Sequence, residues 1–187
     1  MSWCLPVSVE IDGEIHEIRD RCDYKIILDI IGTLNDVELT KDEQIRCALI
    51  IFYKDVSKIK NMQKAVSEMF KVINVGEEME QANSQEQPQP KLIDWAFDFP
   101  RIAPPVNKVL GYDFRDPNKY THWYTFVGAY MEIDECTLTT IISIRSKRAR
   151  GKSLEKNERE FYTKNKHIVD LPQKLTPEEE EFLNSEW

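Results

Sequence analysis

The residues best suited to catalysis in this chain are three groups of acidic side chains that lie close together in the sequence. They are Asp94/Asp98, Asp113/Asp116 and Glu132/Asp134/Glu135. Neighbouring carboxylates can hold a divalent cation, or act as general acid and base on a substrate. Carboxylates at this spacing also cap helices and line solvated faces. That structural interpretation is favoured here for all three groups.

The cysteines and histidines do not form a second catalytic pattern. Cys4, Cys22, Cys47 and Cys136 are far apart and form no CxxC pair, and His16, His122 and His167 are equally scattered. Cys136 follows an acidic residue, whereas a reactive thiolate needs electropositive surroundings. The sequence therefore predicts no disulfide and no structural metal, and His16 is interpreted as packed rather than catalytic.

The familiar nucleotide-binding and hydrolase motifs are also missing from the sequence. The chain has six glycines, and none is arranged as GxGxxG or GxxxxGK. There is no GxSxG nucleophile turn and no HExxH zinc motif. We therefore predict a protein that has no enzyme activity and needs no cofactor.

The charge of the chain is distributed unevenly. The formal net charge is −8, yet residues 136–170 contain nine basic and four acidic residues, a net charge of +5. Acidic surroundings would repel nucleic-acid phosphates, so an acidic protein is the favoured partner of this basic segment. A nucleic-acid-binding regulator that acts through residues 144–152 is an alternative, and salt-dependent binding to DNA would support it.

Nothing in the sequence predicts export or membrane insertion. No segment approaches the ~20 consecutive apolar residues of a membrane span. The first residues, MSWCLP, do not resemble a signal peptide, which has a basic region followed by an apolar one. The protein is expected to remain in the compartment where it is made.

The first half of the chain predicts a β-hairpin followed by three helices. Residues 5–18 form the hairpin, because Asp12-Gly13 is a favoured two-residue turn. Val7, Val9, Ile11, His16 and Ile18 are expected on one face of that hairpin. Helices are predicted over residues 22–34, from a capping box at Thr40 and Glu43, and over residues 59–74, where Gly76 is the expected stop. The second helix is apolar on almost all sides and should therefore be central.

The second half of the chain begins after a polar segment. Residues 77–90 are rich in Glu, Gln, Asn, Ser and Pro, and this composition predicts a mobile, protease-sensitive linker. The linker separates an N-terminal lobe, residues 1–76, from a C-terminal helical lobe, residues 91–187. The predicted fold class is therefore mainly α, with a short N-terminal β-hairpin and two helical lobes.

Several helices are predicted in the C-terminal lobe. Three prolines at 100, 104 and 105 are expected to interrupt the helical segment that ends near Gly111. Further helices are expected near residues 123–130, then after an Asp134 cap, then over 154–166, with a short terminal helix from Thr176. Nine aromatic residues between Trp95 and Phe126 predict a second hydrophobic core, part of which is a candidate anchoring surface.

A candidate partner-binding surface combines an apolar helix face with the basic segment that follows it. Arg145 continues the apolar face. A structural role, either snorkelling or pairing with a structural carboxylate, is favoured there over gripping a partner's carboxylate. The basic run from Ser146 to Lys152 is expected to leave the fold and to steer an acidic partner. The hypothetical surface comprises Leu138, Ile141, Ile142, Arg145, Lys147, Arg148, Arg150 and Lys152.

The order of these segments resembles a family of small phage proteins encoded next to the tape-measure gene in long-tailed bacteriophages of Gram-positive hosts. The resemblance covers nearly the whole chain, with His16 and Lys25 standing where the family usually has an aromatic residue and an arginine. Its quoted positions are Leu5-Pro6, Val9 to Gly13, Ile18, Asp23 to Lys25, Asp94, Phe97-Asp98, Ile102, Leu110 to Phe114, His122 to Tyr124, Phe126, Thr137-Leu138, Ile141-Ile142 and Ile144-Arg145.

The resemblance implies a tail assembly chaperone that binds the aggregation-prone tape-measure protein and supports tail tube assembly without catalysis. It implies action in the host bacterial cytoplasm and absence from the mature virion. The tail tube protein is a further expected partner, and homo-oligomer formation is left open, whereas neither nucleic acid nor membrane is expected. The alternative is a permanent tail-completion or connector protein of the virion.

Overall fold

The computed structural model describes residues 4–77 and 90–172. Nearly all of the predicted linker, and the terminal helix predicted from Thr176, lie outside these ranges. The described residues are mainly α-helical and begin with a short β-hairpin, as predicted. The elements are β1 (Ser8–Ile11), β2 (Glu14–Glu17), α1 (Tyr24–Leu34), α2 (Lys41–Phe52), α3 (Met62–Ile73), α4 (Trp95–Leu110), α5 (Trp123–Met131), α6 (Thr137–Ala149) and α7 (Lys156–Val169).

The described residues group into two compact units. Unit 1 contains residues 4–77 and 100–134, and unit 2 contains residues 90–99 and 135–172. Residues 100–134 thus group with the N-terminal elements, whereas the sequence-based division assigned residues 91–187 to a C-terminal lobe. Two backbone hydrogen bonds give a reason: the Tyr24 amide donates to the Thr121 carbonyl (3.0 Å) and the Trp123 amide to the Cys22 carbonyl (2.9 Å).

The hairpin forms as predicted. Asp12 and Gly13 both have positive φ, 51° and 86°, which is the geometry of a type I′ turn. The strands pair antiparallel, and Val9 lies opposite His16. Both of these side chains are buried, so the histidine is packed. Val7, at the open end of the hairpin, is 38% exposed, whereas Ile11 and Ile18 of the same predicted face are buried.

Helices α1 to α3 follow the predicted segments. The capping box at the start of α2 is confirmed, since Thr40 Oγ1 accepts from the Glu43 amide and Glu43 Oε2 accepts from the Thr40 amide. Helix α2 was predicted to be central, and it packs against both α1 and α3, but not all of its apolar sides are covered. Neighbouring helices α1 and α3 cover the side that carries Ala48, Leu49 and Phe52, while Ile50 remains 54% exposed.

Helix α4 is continuous over 16 residues although it contains three prolines, which corrects the predicted interruption. Each proline removes one helical hydrogen bond, but its fixed φ of about −65° is compatible with helical geometry. The boundary between the two units falls within this helix, between Phe99 and Pro100.

The core of unit 1 contains part of the aromatic segment. Tyr24 of α1 lies edge-on to Phe114, with ring centroids 4.8 Å apart, and stacks on Phe126 at 5.2 Å. Trp123 stacks on Phe126 at 5.7 Å. These aromatic residues therefore extend the core of the N-terminal helices, and do not build the separate second core that the sequence predicted.

Candidate partner-binding surface

Unit 2 has a small apolar core between α6 and α7. Ile141, Ile144 and Val169 are fully buried, and Leu154, Phe161, Tyr162 and Ile168 pack around them. Phe161, Tyr162, Ile168 and Val169 of α7 thus pack on the same core, although the backbone of Asn165 between them departs from helical geometry. The N-cap of α6 is Cys136, not the predicted Asp134, and the Thr139 hydroxyl accepts a hydrogen bond from the Cys136 amide (2.8 Å).

Arg145 lies beside this core and uses all five of its N–H donors. Nη1 and Nη2 donate to the two carboxylate oxygens of Asp98, at 2.7 and 3.0 Å. The remaining donors reach the backbone carbonyls of Leu92 (2.8 Å), Ile168 (3.0 Å) and Val169 (2.6 Å). One guanidinium therefore joins α6 to the start of α4 and the end of α7.

The acidic partner of Arg145 is held by a helix cap. Asp94 Oδ1 accepts from the Phe97 amide at 3.0 Å, which caps the first turn of α4. The Asp94 amide donates to Asp98 Oδ2 at 2.9 Å. Lys91 approaches the outer carboxylate oxygen of Asp94 (2.7 Å), and this contact lowers the pKa of Asp94. The acidic pair is thus structural, as the sequence favoured, although Asp98 is completely buried rather than solvated.

The Arg145–Asp98 ion pair is a structural element and not an exposed binding site. Its side chains are 5% and 0% exposed. Burying two charges is costly, and a fully hydrogen-bonded bidentate geometry offsets that cost. The favoured structural role of Arg145 is therefore confirmed, in the form of pairing with a structural carboxylate.

The apolar residues of the hypothetical surface also face inward. Leu138 and Ile141 are 1% and 0% exposed, and Ile142 is partly buried. Their positions on α6 agree with the predicted apolar face, which the protein uses for its own packing. Leu138 and Ile141 therefore do not offer a contact area to a partner in this conformation, whereas Ile142 remains partly accessible.

The four basic residues of the run divide into two that form ion pairs and two that form none with described residues. The run does not leave the fold at Ser146 as predicted, because α6 continues to Ala149. Lys147 Nζ lies 2.6 Å from Glu158, which raises the pKa of Lys147 and lowers that of Glu158. Arg148 pairs with Asp170, and its guanidinium lies 4.3 Å from the centre of the Tyr162 ring. Both side chains thus join α6 to α7.

Arg150 and Lys152 are exposed and make no ion pair with any described residue. Four cations of α7 share this property: Lys156, Arg159, Lys164 and Lys166. We call these six residues the free cations. The neighbouring anions Glu158 and Asp170 are paired with Lys147 and Arg148, so the free cations leave unit 2 with an exposed basic surface.

The other acidic groups have structural contacts that fit capping and solvated faces. Asp113 accepts from the Arg115 amide and guanidinium, and the hydrogen bond to that side chain is the main cause that lowers its pKa. Asp116 accepts from the Asn118 amide at 2.9 Å. Exposed Asp134 lies 3.3 Å from Lys108. Within residues 4–77 and 90–172, no three potential ligands lie close enough together to hold a metal ion.

Sequence reasoning missed the structural role of His122. Its Nδ1 accepts from the Tyr124 amide (3.0 Å), which caps α5, and Nε2 lies 2.9 Å from the Pro6 carbonyl. Both contacts fit a neutral ring that carries its proton on Nε2, and burial is the main cause that lowers the pKa. A histidine immediately before an apolar helix was the available signal.

Burial also raises the pKa of Cys22 to about 12, which leaves that thiol unreactive.

Fold and site together define a mainly helical protein whose buried ion pair holds structure and whose exposed basic surface is the candidate for contact with other proteins. The chain belongs to the family described as Bacteriophage Gp15 protein, whose sequence profile matches residues 1–171. The resemblance to a bacteriophage protein family is thereby confirmed. Searches of curated proteins and of solved structures found no match. None of the helices in the described part of the chain has the length and hydropathy needed to cross a bilayer.

Proposed function

We propose that this protein is a tail assembly chaperone that binds the phage tape-measure protein and supports tail tube assembly, without catalysis. The observation that carries the proposal is membership of a bacteriophage family across residues 1–171. The segment order that resembles chaperones encoded beside the tape-measure gene adds the finer role. A long apolar helix exposed in the host cytoplasm would self-associate, and a chaperone prevents this by covering it.

The exposed charge supports a protein partner. Arg150 and Lys152 are the cations of the hypothetical surface that form no ion pair with a described residue, and the other four free cations enlarge the basic area around them. Exposed charges of this kind raise the rate of encounter with an acidic partner more than they raise affinity. We therefore assign the steering of acidic tape-measure segments to the free cations, and not to Lys147 and Arg148.

Co-expression with the tape-measure protein of the same phage tests the proposal directly. Affinity purification of tagged chain should recover the tape-measure protein, and co-expression should increase the soluble fraction of that protein. The tail tube protein belongs in the same experiment as a second candidate partner. Recovery of neither protein would contradict the proposed role.

Purified virions separate a chaperone from a permanent tail component. A chaperone should be abundant in infected cells and absent from mature particles by quantitative mass spectrometry. A fixed number of copies per particle would instead support a tail-completion or connector protein. Light scattering of the purified chain determines whether it forms a homo-oligomer.

A further inference from the structure

The exposed side of α7 is basic along most of its length. Lys156, Arg159 and Thr163 lie on one side of the helix, at the spacing of three or four residues that aligns side chains, and exposed Lys166 follows Asn165, whose backbone departs from helical geometry. Lys164 adds a fourth cation at the edge of this face, and Glu160 is its one exposed acidic residue. Helix α7 turns its apolar residues toward α6, so the basic face points away from the core of unit 2.

The same chain contains a segment of matching charge at a suitable distance along the sequence. Glu178, Glu179, Glu180 and Glu181 are consecutive, and Pro172 is the last described residue before them. Six residues span at most about 20 Å when extended. From Lys166 back to Lys156, α7 covers about 15 Å. The four glutamates can therefore reach the basic face in a chain that folds back after α7.

We propose that the basic face of α7 binds residues 178–181 of the same chain. A short connection keeps the two segments at a high effective concentration, so contacts that are individually weak suffice to bring them together. The bond is electrostatic and exposed, and it is therefore screened by salt over about 8 Å at physiological ionic strength. This contact concerns the chain alone and does not depend on the proposed chaperone role.

Zero-length cross-linking of the full-length chain tests the contact. A carbodiimide couples a carboxylate to a lysine amine only where the two groups touch. At low salt we expect peptides containing residues 178–181 to be linked to Lys156, Lys164 or Lys166, and we expect these links to disappear in 1 M salt. Lys25 and Lys41, which are exposed in unit 1, serve as reference amines.

A matched pair of arginine substitutions separates a specific face from general attraction. Arginine does not react with a carbodiimide, so Arg159→Ser leaves every reactive amine in place while it removes one charge from the face. We expect this change to reduce the yield of the α7 links by about 1.5- to 5-fold. Arg46→Ser removes an exposed charge from α2 and should leave the yield unchanged.

Three results would overturn the proposal. One is the absence of α7 links at low salt, and another is an equal yield at Lys25 or Lys41. The third comes from an equal mixture of ¹⁵N-labelled and unlabelled chains: linked peptides that combine the two labels would show that a second copy, and not the same chain, occupies the face.

Discussion

The two units of this protein stabilise their interiors by different means. Unit 1 packs aromatic and aliphatic side chains from several helices, and its buried polar groups, such as His122 and the Trp123 indole, make neutral hydrogen bonds to the backbone. Unit 2 has a much smaller apolar cluster, beside which Arg145 and Asp98 form a buried ion pair. The hydrophobic effect is not directional, so apolar side chains can pack in many arrangements. A guanidinium, by contrast, requires its hydrogen-bond acceptors in fixed positions.

In unit 2 the small apolar core and the directed hydrogen bonds of Arg145 contribute differently to the arrangement of its segments. Arg145 contacts segments that lie 23 to 53 residues away in the sequence. A few aliphatic side chains do not specify how three segments meet, and the five hydrogen bonds of Arg145 do. We infer that unit 2 owes its arrangement mainly to this residue, and that unit 1 tolerates the loss of any one hydrogen bond better.

The largest effect is expected from Arg145→Ala. The substitution leaves Asp98 buried without its counter-charge and leaves three backbone carbonyls without their donor, which should lower the free energy of unfolding by about 3–5 kcal/mol. Chemical denaturation measures the loss, and hydrogen exchange should place it in α6 and α7. Arg150→Ala, which removes an exposed arginine five residues away, should change stability by less than about 0.5 kcal/mol.

A double variant determines which bonds of Arg145 matter. Arg145→Met with Asp98→Leu replaces both charges by apolar groups, a change that often restores stability to a buried ion pair. Here the carbonyls of Leu92, Ile168 and Val169 would still lack a donor. Recovery should therefore be partial. Complete recovery would show that the bonds to the backbone contribute little, and would remove the contrast between the two units.

A smaller effect is expected from Trp123→Phe in unit 1. The substitution keeps an aromatic ring but removes the hydrogen bond from Trp123 Nε1 to the Ile73 carbonyl, 2.9 Å long. A part-buried carbonyl without its donor should cost about 1–3 kcal/mol in a denaturation experiment. Tyr120→Phe is the matched control, because it removes a bond to the Arg21 carbonyl from an exposed ring and should cost no more than about 1 kcal/mol. A loss as large as that of Arg145→Ala would contradict the greater tolerance of unit 1.

Local sequence signals predicted the elements well, and long-range contacts less well. The Asp12-Gly13 turn and the Thr40–Glu43 capping box depend on residues within four positions of each other, so their outcome could be read from the sequence. The exposed face of α2 could not be predicted from the sequence, because apolar composition does not reveal which sides of a helix have neighbours. Ile50 is exposed for this reason.

The candidate site shows the same limit. The apolar face of α6 predicted that Arg145 lies on a buried side, and pairing with a carboxylate followed from its charge. That the carboxylate belongs to Asp98, 47 residues earlier, depends on tertiary packing. Likewise, the sequence treats Lys147, Arg148, Arg150 and Lys152 alike, whereas helix phase and the positions of Glu158 and Asp170 separate two paired cations from two free ones.

A pH-dependent effect is expected at His122, whose environment in unit 1 favours the neutral ring. Burial lowers the pKa of His122 below its usual value of 6.5. The unfolded chain therefore takes up the proton at a higher pH than the folded chain does. The stabilisation by His122 should be complete above pH 6.5, and should be lost as the pH falls through the lower pKa of the folded state.

Denaturation across this pH range tests the assignment. In His122→Asn the amide can still cap α5 but does not titrate, so the part of the pH dependence below about pH 6.5 that belongs to His122 should disappear. His167→Asn, at an exposed position of α7, should retain that part. An unchanged pH profile in His122→Asn would refute the assignment and leave the neutral cap without support.

The smallest effect on stability is expected where unit 2 is exposed, and there the change should appear in kinetics. Arg150 and Lys152 make no ion pair with a described residue, so Arg150→Ser with Lys152→Ser should alter the free energy of unfolding by less than about 0.5 kcal/mol. If the free cations steer an acidic partner, the same variant should associate more slowly with the tape-measure protein at low salt and show a weaker salt dependence.

Lys147→Ser with Arg148→Ser removes the same charge from the paired positions. That variant should mainly lose stability, because it leaves Glu158 and Asp170 without their partners. Stopped-flow association and denaturation of both variants, at two salt concentrations, separate the two roles. Equal association rates for the wild type and the Arg150/Lys152 variant at low salt would exclude these two free cations as the steering residues, and would leave the exposed charge of unit 2 as a solvated face.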